Sequence, residues 1–201
     1  MRILTPACLL IVVAAAAVAA DANLLDRVQA ASKDIATVRV PFVQEKKLAI
    51  LEEPVITKGV IEISRPLSSV RWEFTGRSVL IFSKGKVRRW GAEGKEESAG
   101  SNDPGLKSFH DQMEAFLSGD WNGLKSVFDV VPDPDGGPLL KLTPKNKDIG
   151  KYISRIDLRF RDDLTAPARM TLTATAGDET TYTFSDPEVG ADLPASRFSG
   201  P

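Results

Sequence analysis

From residue 37 onward the chain alternates between apolar and polar positions. Val38, Val40, Phe42 and Gln44 interleave with Thr37, Arg39, Pro41 and Val43, the period of two expected of a half-buried strand. Pro41 has no N–H to give a ladder, so the pattern predicts an edge strand, which residues 47–51 continue or bend. Residues 59–63 set Ile61 and Ile63 against Glu62, and residues 70–74 set Val70, Trp72 and Phe74 against Arg71 and Glu73. Residues 79–82 and 86–90 flank Ser83-Lys84-Gly85, a tight hairpin. Beyond the Pro-Asp-Gly turn at 132–138, strands are predicted at 139–142, 155–160, 170–174 and 180–184, the last two joined through Gly177-Asp178.

Helical spacing appears in two longer stretches. Leu24, Leu25, Val28, Ala31 and Ile35 predict a helix over 22–35, with Asp26, Arg27 and Lys33 on its other side. Leu106, Phe109, Met113, Phe116 and Leu117 predict a second, opened by Pro104 and closed by Gly119. A shorter helix over 121–128 takes Asp120 as its cap. About eight to ten alternating strands with two or three helices make an α+β domain whose sheet has one apolar face, and the helices are its natural cover. No internal repeat and no linker divides it. The tail from Asp186, rich in Pro, Ser and Gly, is expected to run over the surface.

The first twenty residues belong to a different pattern. Arg2 precedes an uncharged apolar run from Leu9 to Val18, and small residues close it at Ala17-Val18-Ala19-Ala20. This is the layout of a secretory signal peptide, with cleavage expected near Ala20 and residues 21–201 forming one exported, periplasmic domain. A spanning helix needs about 20 strongly apolar residues, and four of these ten are alanine. Cys8 stands before most of the run, not behind it, so the lipoprotein type of signal is not matched. The only cysteine leaves with the leader, and the fold must hold without disulfides.

Charge narrows the partners. With 26 basic and 27 acidic residues the chain has a formal net charge of −1, and nothing suggests nucleic acid. The densest basic cluster, Lys84, Lys86, Arg88 and Arg89, reads first as a solvated hairpin and second as a contact for an anionic headgroup.

The order of segments resembles the LolA family, the periplasmic carriers of outer-membrane lipoproteins in Gram-negative bacteria. Val40-Pro41-Phe42-Val43-Gln44-Glu45-Lys46 is similar to that family's Phe-x-Gln-x-Lys opening after an N-terminal helix. Gly59-Val60-Ile61-Glu62-Ile63-Ser64-Arg65-Pro66 is similar to its Gly-x-hydrophobic strand ending in Arg-Pro. Arg71-Trp72, Gly119-Asp120-Trp121 and Leu142-Thr143-Pro144-Lys145 follow in the same order. The resemblance implies an antiparallel β half-barrel covered by two or three helices, with an apolar cavity for acyl chains and no cofactor. It implies a lid latch at Arg65. It also implies acylated cargo, an inner-membrane donor and an outer-membrane acceptor, met by a monomer. Two departures stand out: one extra residue between Arg65 and Trp72, and no longer C-terminal extension, which leaves room for another amphiphile as cargo. A periplasmic sensor of lipids or lipoproteins on the same fold is the alternative.

Candidate cavity residues are Phe42, Ile61, Ile63, Val70, Trp72, Phe74, Leu80, Phe82 and Trp90 from strands, with Phe109, Met113 and Phe116 from the covering helix. Their pattern alone fits an ordinary core; the resemblance is what turns them toward a cavity. The need for one is physical. At about 0.8 kcal/mol per methylene, hiding a sixteen-carbon chain from water is worth roughly 12 kcal/mol. Catalysis has little to stand on. His110 is the only histidine and no triad surrounds it, no Gly-x-Ser-x-Gly elbow is present, and Asp133-x-Asp135-Gly136 lacks the closing glutamate of a calcium loop. A metal site lacks ligands.

Overall fold

Among the described residues twelve strands form, most of them where the alternation predicts strands. The structure is a computed structural model, and it describes residues 23–83, 86–97 and 120–201. Helix α1 (Asn23–Ser32) leads into β1 (Thr37–Lys47), β2 (Val55–Ser64), β3 (Ser69–Phe74), β4 (Ser78–Ser83), β5 (Lys86–Trp90) and the short β6 (Glu96–Glu97). A 3-10 turn (Trp121–Gly123) and a single helical turn, α2 (Leu124–Val127), precede β7 (Phe128–Pro132) and β8 (Leu139–Pro144). After another single turn, α3 (Lys147–Gly150), come β9 (Ile153–Phe160), β10 (Pro167–Ala174), β11 (Glu179–Phe184) and β12 (Glu188–Val189). The 104–117 helix with Phe109, His110, Met113 and Phe116, the leader, and the Lys84-Gly85 hairpin tip lie outside the described residues.

All strands join one antiparallel sheet, in the order β6-β5-β4-β3-β2-β1-β11-β10-β9-β8-β7, with β12 pairing beside β11 on β1. Directly opposed residues share a face, so the register sorts the side chains. One face carries the rows Val40–Ile61–Trp72–Leu80 and Val38–Ile63–Val70–Phe82. Beyond β1 the same face continues through Tyr182–Met170–Leu158–Leu140. Phe82 and Val70 from one flank and Leu140 and Phe128 from the other belong to a single buried cluster, which also takes in Leu24, Leu25 and Val28 of α1. The sheet therefore curls around this inner face as a half-barrel, and α1 lies in its mouth.

Two local expectations are corrected. Pro41 does not mark an edge, because β1 sits mid-sheet. Its carbonyl accepts from the Ser185 N–H, and its nitrogen lies on that same side of the strand. There β1 changes partner, from β11, which reaches Phe42, to β12, which begins at Arg39. The missing N–H falls in the gap between the two. Helix α1 stops at Ser32 rather than Ile35, where the carbonyl end of the helix is taken by a distant arginine described below.

An apolar hollow between sheet and helix

The middle of the inner face is filled. Phe42 makes edge-on contacts with Trp72, Phe74 and Tyr182 at centroid distances of 5.9, 5.4 and 5.6 Å, and Trp72 meets Tyr182 edge-on at 5.4 Å. Edge-to-face pairs of this kind add about 0.5–1.5 kcal/mol each beyond the area they bury. The cluster needs a glycine opposite it. Gly59 is the cross-strand partner of Phe42, and a Cβ there would strike the Phe42 ring and the Glu73 carbonyl. At one side the Gln44 amide donates to the Tyr182 hydroxyl at 2.7 Å, and burial raises the pKa of that phenol.

Next to this aromatic block the packing opens. Val38, Val40, Ile61, Ile63 and Phe184 from the sheet, Trp121 from the 3-10 turn and Pro167 at the start of β10 surround a hollow of about 80 Å³. At about 10–15 Å³ for each water-sized guest, it has room for on the order of six methylenes. Its wall is mostly apolar, with Ser32, Arg65 and Thr165 as its polar members.

Arg65 ties the rim together. It follows β2, its own N–H donates to the Ala36 carbonyl, and its Nη1 donates to the carbonyls of Ser32 at 2.7 Å and Lys33 at 3.2 Å. A cation at a helix C-terminus meets the negative end of the helix dipole. Burial lowers the guanidinium's pKa, yet arginine stays charged in proteins. The Ser32 hydroxyl in turn accepts from Trp121 Nε1 at 3.0 Å, and Asn122 donates to Asp26 and Gln29 of α1 at 3.0 and 2.9 Å. One arginine, one helix end and one tryptophan turn thus close the hollow from one side.

The expected cavity residues separate into groups. Ile61 and Ile63 line the hollow; Phe42, Trp72 and Phe74 form the aromatic block; Val70, Leu80 and Phe82 pack on the same face beside it. Trp90 does not join them. It is the register partner of Val79 and packs with Ile81 and Phe198 on the outer face. Val87, opposite Phe82, takes the inward place on β5. Val38, Val40, Phe184 and Trp121 line the hollow without having been expected there. The first two are legible as inward positions of β1, while Phe184 and Trp121 arrive only through the fold.

The outer face is built from charge. The row Arg39–Glu62–Arg71 crosses β1, β2 and β3, and Glu62 and Arg71 are only 2% and 4% exposed. The tail covers them. After β12 pairs with β1, a 3-10 turn (Ala195–Phe198) lays Phe198 against Ile81 and Trp90. Arg197 grips Glu62 with Nε and Nη2 at 3.1 and 2.9 Å, and Arg39 adds a third contact at 3.3 Å. Arg71 binds Glu73 at 2.9 Å and donates to the carbonyls of Gly200 at 2.6 Å and Arg197 at 3.2 Å.

Among the described residues no group of three or more metal-capable side chains converges, and no helix is long and apolar enough to cross a membrane. No curated protein sequence matches this chain. Solved structures do. A domain assigned to outer-membrane lipoprotein sorting from Vibrio parahaemolyticus superposes with a TM-score of 0.51 at 12% identity, over 89% of this chain and 96% of that one. An uncharacterized conserved protein from Thermus thermophilus gives 0.52 at 10% identity, over 88% and 91%. Lipoprotein LppX of Mycobacterium tuberculosis gives 0.49 at 13% identity, over 90% and 100%. At these identities the first two show a likeness of fold alone. The family model described as outer membrane lipoprotein carrier protein LolA matches residues 33–200, across both the hollow and the charged outer face, and the chain belongs to the LolA family.

Proposed function

We propose that the protein binds acyl chains outside the cytoplasm and carries a lipoprotein or a related amphiphile toward the outer membrane, without enzymatic chemistry. The observation that carries this reading is the hollow beside the aromatic block, mostly apolar in its wall and closed at its rim by Arg65. Hydrocarbon contacts are non-directional, so a pocket of this kind takes chains of differing length and releases them without breaking specific bonds. The described residues offer room for a chain tip, and a whole chain requires α1 and the Trp121 turn to lift. Arg65 is then the latch, because its two carbonyl contacts are the directional bonds that hold the α1 end over the sheet. The leader-like N-terminus supports export, and a membrane donor and a membrane acceptor would supply and take the cargo.

The test uses a fluorescent fatty acid and the mature protein. Wild type is expected to take up the probe, and protein recovered from a native periplasm to carry acylated material visible by mass spectrometry. Arg65→Leu removes bonds worth about 1.5–3 kcal/mol between a charged donor and its acceptors. It should speed probe release by about tenfold or more while the circular dichroism spectrum stays that of the folded protein. Protein that is empty as isolated and takes up no probe ends the carrier reading, and release kinetics unchanged in Arg65→Leu remove the latch.

A further inference from the structure

At the end of the inner face away from Arg65 the lining changes character. Lys46 near the end of β1, Arg77 just before β4 and Arg89 on β5 converge on one concavity of about 370 Å³, with Thr57 on its wall and Phe74 on its floor. Strand alternation divides the basic cluster that the sequence presents as one. Arg88 turns outward, where Glu96 holds it bidentately at 2.8 Å and it lies over Trp90. Its neighbour Arg89 turns inward and meets Glu97 at 3.0 Å. Lys46 and Arg77 come from other parts of the sheet and have no carboxylate partner among the described residues. The tight turn at Gly76, with φ +67°, and the Arg77 N–H to Phe74 carbonyl bond fix where Arg77 leaves the sheet. Three cations against one carboxylate therefore face a concavity whose floor, Phe74, is the outermost ring of the aromatic block.

We infer that this concavity binds the anionic headgroup, a phosphate or similar compact anion, of the amphiphile whose hydrocarbon lies on the inner face. The inference rests on the acyl-binding reading and adds to it the chemical class of the cargo's head. Lys46 and Val40 are six residues apart on β1, about 20 Å at ~3.3 Å per residue. Phe74, Trp72 and Phe42 lie between, so a long chain anchored at the cations runs along apolar rings toward the hollow. Cations on exposed stems, with an apolar floor beneath, match a charged head joined to a tail better than a free anion, which would gain nothing from Phe74.

Lys46 and Arg77 are exposed, so the double variant Lys46→Gln with Arg77→Gln is expected to fold, as an unchanged thermal midpoint will show. Dodecyl phosphate and dodecyl maltoside carry the same tail under charged and neutral heads. Wild type should bind the phosphate about tenfold more tightly, the size of a charge-assisted contact, and lose that margin in 1 M salt, where the Debye length is about 3 Å. The double variant should bind both detergents equally, with its affinity for the maltoside unchanged. A preference that is absent in wild type, or that survives in the double variant, overturns the headgroup site and leaves acyl binding standing. Inorganic phosphate binding alone as tightly as dodecyl phosphate also overturns it, since the site would then serve a free anion. Failure of both detergents to bind brings down the acyl-binding reading itself.

Discussion

The two faces of the same strands solve opposite problems. On β2 and β3, Ile61, Ile63, Val70 and Trp72 point inward to apolar contacts, and next to them space is left unfilled. Between them Glu62 and Arg71 point outward into bonds fixed in length and angle, sealed beneath a tail that adds Arg197 and Phe198. An interior close-packed everywhere would be more stable and would hold no guest. Here the buried ion pairs lie outside the half-barrel, on the face away from the hollow. The division predicts that outer substitutions change global stability and inner ones change what the protein binds.

The largest effect is expected from Glu62→Gln. Removing the charge takes the buried carboxylate from Arg197 and Arg39 and leaves Arg71, 4% exposed, with Glu73 alone, and breaking a buried pair costs about 3 kcal/mol or more. Urea denaturation should show that loss, with probe uptake per folded molecule unchanged. A loss below about 1 kcal/mol would mean that water already reaches the network, and the contrast between the faces would collapse.

Filling the hollow is the inner counterpart. Ile63 is half-buried on its wall, and Ile63→Phe places a ring in the space. At about 24 cal/mol for each Å³ of cavity removed, closing most of 80 Å³ offers an upper limit of about 2 kcal/mol, and strain will take back part of it. The expected result is a gain of about 1 kcal/mol in urea with a large drop in acyl-probe uptake. Stability gained this way at the expense of binding is the trade-off of a functional cavity. Undiminished uptake would show that the probe binds elsewhere.

How much of this could be read from the chain follows the same division. The inward set on β2 and β3 is legible because alternation alone assigns a face, and Arg65 is legible because Arg-Pro closes a strand in the resembled family. Trp90 escapes such a reading because an isolated aromatic announces burial without saying on which side. Counting from Val87 would have put it outward, since residues three apart on a strand face opposite ways. The β7 strand hides behind a helical reading of 121–128 that holds only as far as Val127. The tail clamp and the Lys46, Arg77 and Arg89 concavity join residues far apart in sequence, so no local pattern could reveal them. The aromatic block is legible in membership but not in consequence. Nothing in the spacing says that Phe42, Trp72, Phe74 and Tyr182 meet while Val38 and Val40 leave a gap.

The smallest effect tests whether the inner face is dry. Burial holds the Tyr182 phenol above its ordinary value of 10.0, and the hydrogen bond from Gln44 offsets this only in part. In the unfolded chain the phenol ionises near the ordinary value, whereas in the folded protein it stays protonated to higher pH. Its contribution to stability is therefore complete below about pH 10 and is lost as the pH rises toward the folded value. Tyr182→Phe gives up the Gln44 bond, about 1 kcal/mol, and should be the less stable protein at pH 7. Above pH 10 the wild type must fall faster, because only it carries a buried phenol that unfolding would allow to ionise. The gap between their thermal midpoints should narrow from about pH 9 to about pH 11. Curves that stay parallel would mean that solvent already reaches Tyr182, and an inner face wet at its centre has no hydrocarbon-binding advantage over the outer one.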